Sequence, residues 1–384
     1  MTSSDASGVR SHGAERARPD VESRALLGRL RAWQGRTLTF MEVCGTHTMA
    51  AARAGLRQLL PSSVRLISGP GCPVCVTPVG YVDHALALAA RPEVIIASFG
   101  DLLRVPGSPL DGRASEPRSL AMARAKGADV RVVFSPLGAL ELAREHPERQ
   151  VVFLGVGFET TAPTLGAAVV RAAASGLANF SMLVAAKTIP APLAALASAP
   201  DLRLDGLLCP GHVSVVLGSE VYRPLAERQG LPCAIAGFET NEMLRGLGAL
   251  VDQVQAGVAR VDNCYPGAVR PEGNPKARAM IDRVFEPVDS MWRGLGLIAQ
   301  SGLALRAQFA AHDAAKRFDV SLPAPVAPAG CRCGDVLRGA LDPAACPLFG
   351  TLCTPDHPQG ACMVSSEGSC AARYQYPTES RAGA

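Results

Sequence analysis

Aromatic residues are scarce in this chain of 384 residues, at 5%, and charged residues make up 19%. Lys plus Arg number 38 against 34 for Asp plus Glu. That small excess, with no basic stripe interleaved with aromatics, lacks the footprint of a nucleic-acid binder. Long apolar runs are missing too. "EVIIASF" and "SMLVAA" are strand-sized, far short of the roughly 20 residues of a membrane span. The opening "MTSSDASGVRSHGAERARPD" has no apolar signal core. Residues 1–22 therefore read as a flexible polar tail, and the expected location is cytoplasmic. Two nucleotide motifs are absent. "GVGFET" carries Thr160 where the third glycine of a dinucleotide loop belongs, and no G-x-x-x-x-G-K-[ST] occurs.

Cysteine is abundant, with twelve residues. In a reducing compartment grouped cysteines bind metal or do redox chemistry more often than they staple a fold. Cys44, Cys72 and Cys75 come early, and Cys209, Cys233 and Cys264 are scattered. Six more fall from Cys331 to Cys370.

Short β-branched runs alternate with helical patterns. Strands are expected at 37–43, 64–68, 94–98, 130–134, 151–155, 181–185, 206–208 and 234–236. Helices are expected at 49–60, 79–90, 119–126, 137–145, 161–175, 192–198 and 241–256. Strands that are apolar throughout and followed by helices indicate parallel sheet covered on both faces. The fold class is therefore α/β, with two units meeting near Gln150, at 63–149 and 150–258. A short echo supports two units: "GFETTAPTL" at Gly157 returns as "GFETNEML" at Gly237. Each has Thr placed to cap a helix, and Glu159, Thr160 and Glu239 are candidate ligand contacts. Beyond Val320, "SLPAPVAPAG" reads as a linker to a cysteine-rich segment that needs a metal and a neighbour to fold.

Among the last six cysteines only Cys331 and Cys333 are close. Zinc takes ligands in tight pairs, whereas a [4Fe–4S] cluster takes one thiolate per iron from separate loops. Spacing alone leaves iron–sulfur, zinc and unligated thiols open. Cys72 and Cys75, in "GPGCPVC", raise a similar choice. Zinc would need two further nearby ligands that the sequence does not pair with them, so a dithiol/disulfide couple leads. The glycines and prolines are expected to fix an exposed turn. Cys44, between a strand and a helix, is expected to have a lowered thiol pKa from amides and the helix dipole. A thiolate there is a soft ligand for a transition metal. His47, three residues on, is placed to ligate a metal, to hydrogen-bond a ligand on that metal or to carry protons, and an indirect role beside the Cys is favoured over ligation. Thr46 and Thr48 are expected to cap the helix.

Together "MEVCGTHT", "GPGCPVCVTP", "GFETTAPT", "CPGHVS" and "LFGTLCTPDHPQGACMVSSEGSCAARYQY" resemble the HypD family of hydrogenase maturation factors, from about Leu30 to Tyr376. The resemblance implies two similar α/β domains plus a third, mainly helical or irregular domain, 259–384, that holds an iron–sulfur cluster. The segment 23–62, with Cys44, is implied to pack with that domain. The family's C-x14-C-x6-C-x16-C spacing falls on Cys331, Cys346, Cys353 and Cys370 as ligands of a [4Fe–4S] cluster. Cys333 and Cys362 become bystanders, with Cys333 a rival to Cys331. The implied task is assembly of the Fe(CN)2CO moiety of [NiFe]-hydrogenases. Its partners are a HypC-type small chaperone and HypE as cyanide donor, and Cys44 shares the cargo iron with the N-terminal cysteine of HypC.

In the resulting scheme the cluster feeds electrons through Cys72 and Cys75 toward iron at Cys44, driving release and attachment of cyanide. Glu367 is a candidate proton carrier, and His212 a candidate lining of the cleft between domains. Cys209, Cys233 and Cys264 are core or turn residues. Two other readings are a cluster-dependent disulfide reductase acting on a thioredoxin-like partner and a zinc-stabilised interaction module.

Overall fold

A computed structural model describes residues 20–109, 116–199 and 202–377. Most of the expected tail lies outside the described residues, but Val21 and Glu22 already belong to a helix, Val21–Arg31. Asp20 starts that helix by accepting the Ser23 amide at 2.7 Å. Leu26, Leu27 and Leu30 give it one buried face.

Among the described residues nine parallel strands form, eight on the expected runs: β1 (Leu38–Glu42), β2 (Val64–Ser68), β3 (Val94–Ser98), β4 (Val130–Val132), β5 (Gln150–Gly157), β6 (Phe180–Ala186), β7 (Gly206–Pro210) and β8 (Cys233–Ala236), with an unexpected short β9 (Val261–Asn263). They form a five-stranded sheet, β2-β1-β7-β8-β9, and a four-stranded sheet, β4-β3-β5-β6. Every residue of β3, β7 and β8 is buried, as strands covered on both faces require.

The two sheets are wound alike. In each, the second strand flanks the first on one side while later strands add on the other. Strand order therefore reverses between β1 and β7, and again between β3 and β5, and the crevice beyond such a reversal is where α/β sheets bind ligands.

The expected division near Gln150 falls inside a sheet. Val94 of β3 pairs with Gln150 of β5, so 94–186 form one unit. The segment 23–62, expected to pack with the C-terminal domain, also enters the larger sheet, where Phe40–Glu42 pair with Gly206–Leu208. Parallel neighbours are joined by crossovers, so nearness in sequence does not decide which strands pair.

An antiparallel hairpin, β10 (Phe285–Trp292) and β11 (Gly296–Leu305), was not anticipated. It packs on β6 and bridges the chain just beyond it, between Lys187 and Gly302. The expected helix 49–60 is instead Gly45–Arg53 plus Leu56–Leu59. Gly55 breaks it in the left-handed region at φ 62°. Short helices Cys333–Leu337, Ala361–Val364 and Ser369–Gln375 carry Cys333, Cys362 and Cys370, while Cys331, Cys346 and Cys353 lie outside them, and the last of the three helices packs on Gly45–Arg53. Among the described residues no helix is long and apolar enough to cross a membrane.

Candidate functional site

Cys44 sits beyond the C-terminal end of β1, at the reversal point of the larger sheet, and begins the helix Gly45–Arg53. It is 8% exposed. The amides of His47 and Thr46 favour the thiolate, but burial outweighs them, with the Glu367 and Glu42 carboxylates adding to it. The thiol is pushed up to about 12. The expected lowering is reversed, because desolvation penalises a charge that no cation here offsets.

His47 is fully buried, with Nε2 2.8 Å from the Gly237 carbonyl. A carbonyl only accepts, so Nε2 carries the proton and Nδ1 is left as an acceptor without a partner. Burial drives its pKa down to about 4. The neutral ring therefore cannot donate from Nδ1 to a cyanide nitrogen; it can take a proton or ligate. Thr46 and Thr48 are not helix caps. Thr46 Oγ1 donates to Glu367 at 2.9 Å, and Thr48 Oγ1 to Glu42 at 2.6 Å.

Cys72 and Cys75 are joined as a disulfide. Their turn is buried, not exposed: Cys72 is 4% and Cys75 0% accessible. Two contacts explain this. The Gly45 amide donates to the Gly71 carbonyl at 2.9 Å, and a Cβ on Gly71 would collide with the backbone of Cys44. Glycine at 71 thus lets the two sulfur-bearing loops touch. Ser365 closes the other side, with Oγ 3.3 Å from Cys72 Sγ. A Cβ on Gly45 would strike Glu367, so three distant stretches meet here. Glu367 is half-buried, and burial raises its pKa.

Cys331, Cys333, Cys346, Cys353, Cys362 and Cys370 line one small apolar cavity with Leu348, Phe349 and Met363. Gly360 lies against it, where a Cβ would stand 3.2 Å from Cys331 Sγ. The Gln359 amide donates to Cys353 Sγ at 3.3 Å. Cys333 Sγ and Cys362 Sγ are 3.1 Å apart. Among the described residues no three Cys, His, Asp or Glu converge on a point fit for a single metal ion. The donor set is instead thiols on separate loops, with an amide aimed at sulfur, a set of the kind an iron–sulfur cluster uses.

The remaining candidates disperse. Glu159 is 2% exposed and accepts the Ile189 amide at 2.8 Å. Its Oε2 has no partner, and burial raises it to about 7. Thr160 and Glu239 are exposed. Thr does not cap the echoed helices: Thr161 makes no cap bond, and at the second helix the Glu242 carboxylate accepts the Glu239 amide at 3.0 Å. His212 is exposed and stacks on Phe238, as His47 does. Cys209 and Cys233 are core residues of β7 and β8, and Cys264 is half-buried after β9.

Glu42 escaped the sequence reading. It is fully buried, accepts the Cys44 amide at 3.2 Å, and faces Arg57 at 3.6 Å. Its backbone carbonyl accepts the Gly69 amide at 2.7 Å, so one residue holds the roots of both sulfur loops. Burial raises its pKa to about 7. A lone acid in an apolar strand was the available signal.

Fold and site define a thiol protein: two like-wound parallel α/β sheets, with Cys44 and the Cys72–Cys75 disulfide beyond strand ends of the larger one, against the C-terminal segment that carries the other thiols. The chain belongs to the HypD family, whose profile, described as "Hydrogenase formation hypA family", matches residues 22–377. It is 48% identical over 348 residues to a hydrogenase maturation factor HypD of Rhizobium leguminosarum bv. viciae, covering 89% of each chain. Identity is 46% to a hydrogenase expression/formation protein HupD of Azotobacter chroococcum, over 95% of this chain and 97% of the relative. To the Escherichia coli K12 HypD it is 45%, over 89% and 90%.

Proposed function

We propose that this chain serves hydrogenase maturation as the scaffold and redox component on which the Fe(CN)2CO moiety is assembled, with a HypC-type chaperone and a HypE-type cyanide donor. The observation that carries this is the meeting of Cys44, the Cys72–Cys75 disulfide and the Ser365–Glu367 segment, with six further thiols round one cavity in the same C-terminal region.

Cys331, Cys346, Cys353 and Cys370 would hold a [4Fe–4S] cluster, which when bound supplies or accepts single electrons. The protein's own groups do the rest. Cys44 offers sulfur to the cargo iron; metal binding releases its proton, which overcomes the desolvation that keeps the free thiol neutral. Nδ1 of His47 is a neutral acceptor nearby. Glu367, bonded to Thr46, is a second group able to move a proton. The disulfide takes two electrons and two protons to become a dithiol, and the Ser365 hydroxyl is placed to bond the sulfur of Cys72.

Burial of the disulfide counts against the reductase reading, since exchange with a foreign protein needs an accessible sulfur. The test is anaerobic purification with iron and sulfide assays, followed by infrared spectroscopy of the protein co-purified with its small chaperone. Cyanide and carbon monoxide bands support the scaffold; a cluster without such bands would favour the reductase.

A further inference from the structure

A cavity of about 460 Å³ opens along the outer edge of β2, within the size range of small-molecule sites. Val64–Ser68 form one wall, and Val336, Leu341 and Pro343 stand in the other. β2 is the terminal strand of its sheet. The Leu38 amide bonds Ser63, and the Gly69 amide bonds Glu42. This phase turns the amides of Leu66 and Ser68 toward the open edge.

Two cations line the cavity. Arg57 uses Nε on the Leu66 carbonyl at 3.1 Å and Nη2 on Ser68 Oγ at 2.6 Å, and among the described residues its Nη1 has no partner. Arg65, a ladder residue of β2, has an exposed side chain that makes no hydrogen bond or ion pair among the described residues. Asp342, the one acid present in the lining, is engaged by the Ala344 amide and by Arg373. Ile67, Leu341 and Val336 give the cavity an apolar wall, and Thr37, Gln58, Ser62 and Ser369 add neutral polar groups. Free guanidinium donors, outward amides and an apolar wall match an oxyanion on an apolar body. An added peptide strand fits less well, because Arg57 already occupies the Leu66 carbonyl. Arg57 is also the counter-charge of Glu42, whose carboxylate holds the Cys44 amide.

We propose that this cavity binds a small molecule carrying a carboxylate or phosphate on an apolar body, and that the bound anion steadies Arg57 and, through Glu42, the loop of Cys44. Nothing here depends on the iron or redox reading, because binding is measured without partners or cargo.

The experiment is calorimetric titration of the purified full-length protein with phenyl phosphate and 3-phenylpropionate. Inorganic phosphate serves as the arm without an apolar body. Arg65→Glu is the variant, its thermal midpoint checked against the parent. At least one phenyl probe should bind roughly tenfold tighter than inorganic phosphate, and Arg65→Glu should weaken it by roughly tenfold or more. Which probe wins identifies carboxylate or phosphate. Hydrogen exchange over residues 42–48 should slow on binding. Absence of phenyl-probe binding up to roughly 10 mM, or binding indifferent to Arg65→Glu, overturns the site. Inorganic phosphate binding as tightly as either probe overturns the apolar body. Unchanged exchange over 42–48 overturns the link to Cys44.

Discussion

Cys72 Sγ lies 3.3 Å from Ser365 Oγ, across 293 residues of chain. A disulfide sulfur has no proton, so the hydroxyl donates, while its oxygen accepts the Glu367 amide at 3.2 Å. A reduced sulfur bonds the hydroxyl better than a disulfide sulfur does, because its S–H can also donate, so the contact stabilises the reduced form. Ser365→Ala should therefore make the Cys72–Cys75 couple more reducing, by about 20–30 mV for a bond worth about 1 kcal/mol. Equilibration with dithiothreitol buffers measures this; an unchanged or raised potential would remove Ser365 from the site.

Gly71 allows the contact between the two sulfur loops. Gly71→Ala inserts a methyl against the Cys44 backbone and should cost about 2 kcal/mol of stability. Urea unfolding of the oxidised protein reads the loss. A midpoint equal to the parent's would mean that the loops do not meet.

Glu159 predicts a pH effect. Its folded pKa, about 7, exceeds the ordinary 4.5 because burial disfavours the charge. Below pH 4.5 the group is protonated whether folded or not, and costs nothing. Between 4.5 and 7 the unfolded chain ionises while the folded one holds its proton, so stability falls as pH rises, and above 7 the cost is complete. Glu159→Gln keeps an acceptor for the Ile189 amide without the charge. It should stabilise the protein at pH 8 by up to roughly 3 kcal/mol and have little effect at pH 4. Equal effects at both values would refute a buried, proton-holding carboxyl.

Cys353 faces the thiol cavity and receives the Gln359 amide. Cys353→Ala should abolish the brown colour and the acid-labile sulfide after anaerobic reconstitution, and loosen residues 331–377 to proteolysis. A full complement of iron and sulfide in the variant would reassign the ligands.

Much of the fold was legible where local chemistry decides it. β2 and β3 begin and end where their β-branched runs do, whereas "GPGCPVC", read as an exposed turn, leads into a buried one-turn helix, Pro73–Val76. The hairpin β10–β11 was not legible, because Pro287 and several exposed positions blur its alternation. Val130–Phe134 ran two residues too far, since Phe134 is 97% exposed beyond the strand. Sheet membership was hidden because parallel crossovers let β1 join β7. At the site, residue types were readable but their surroundings were not. The Cys44 thiol looked activated from its helix position, yet Glu42, Glu367 and burial reverse that. Ser365 and Arg57 gain meaning only through distant contacts.

Infrared spectra of the Cys44→Ala protein, co-purified with its small chaperone, bear most directly on the claim that gathered sulfurs assemble the iron moiety. The cyanide and carbon monoxide bands should vanish while the brown chromophore of the late thiols survives. Bands retained at full strength without the Cys44 sulfur would contradict it.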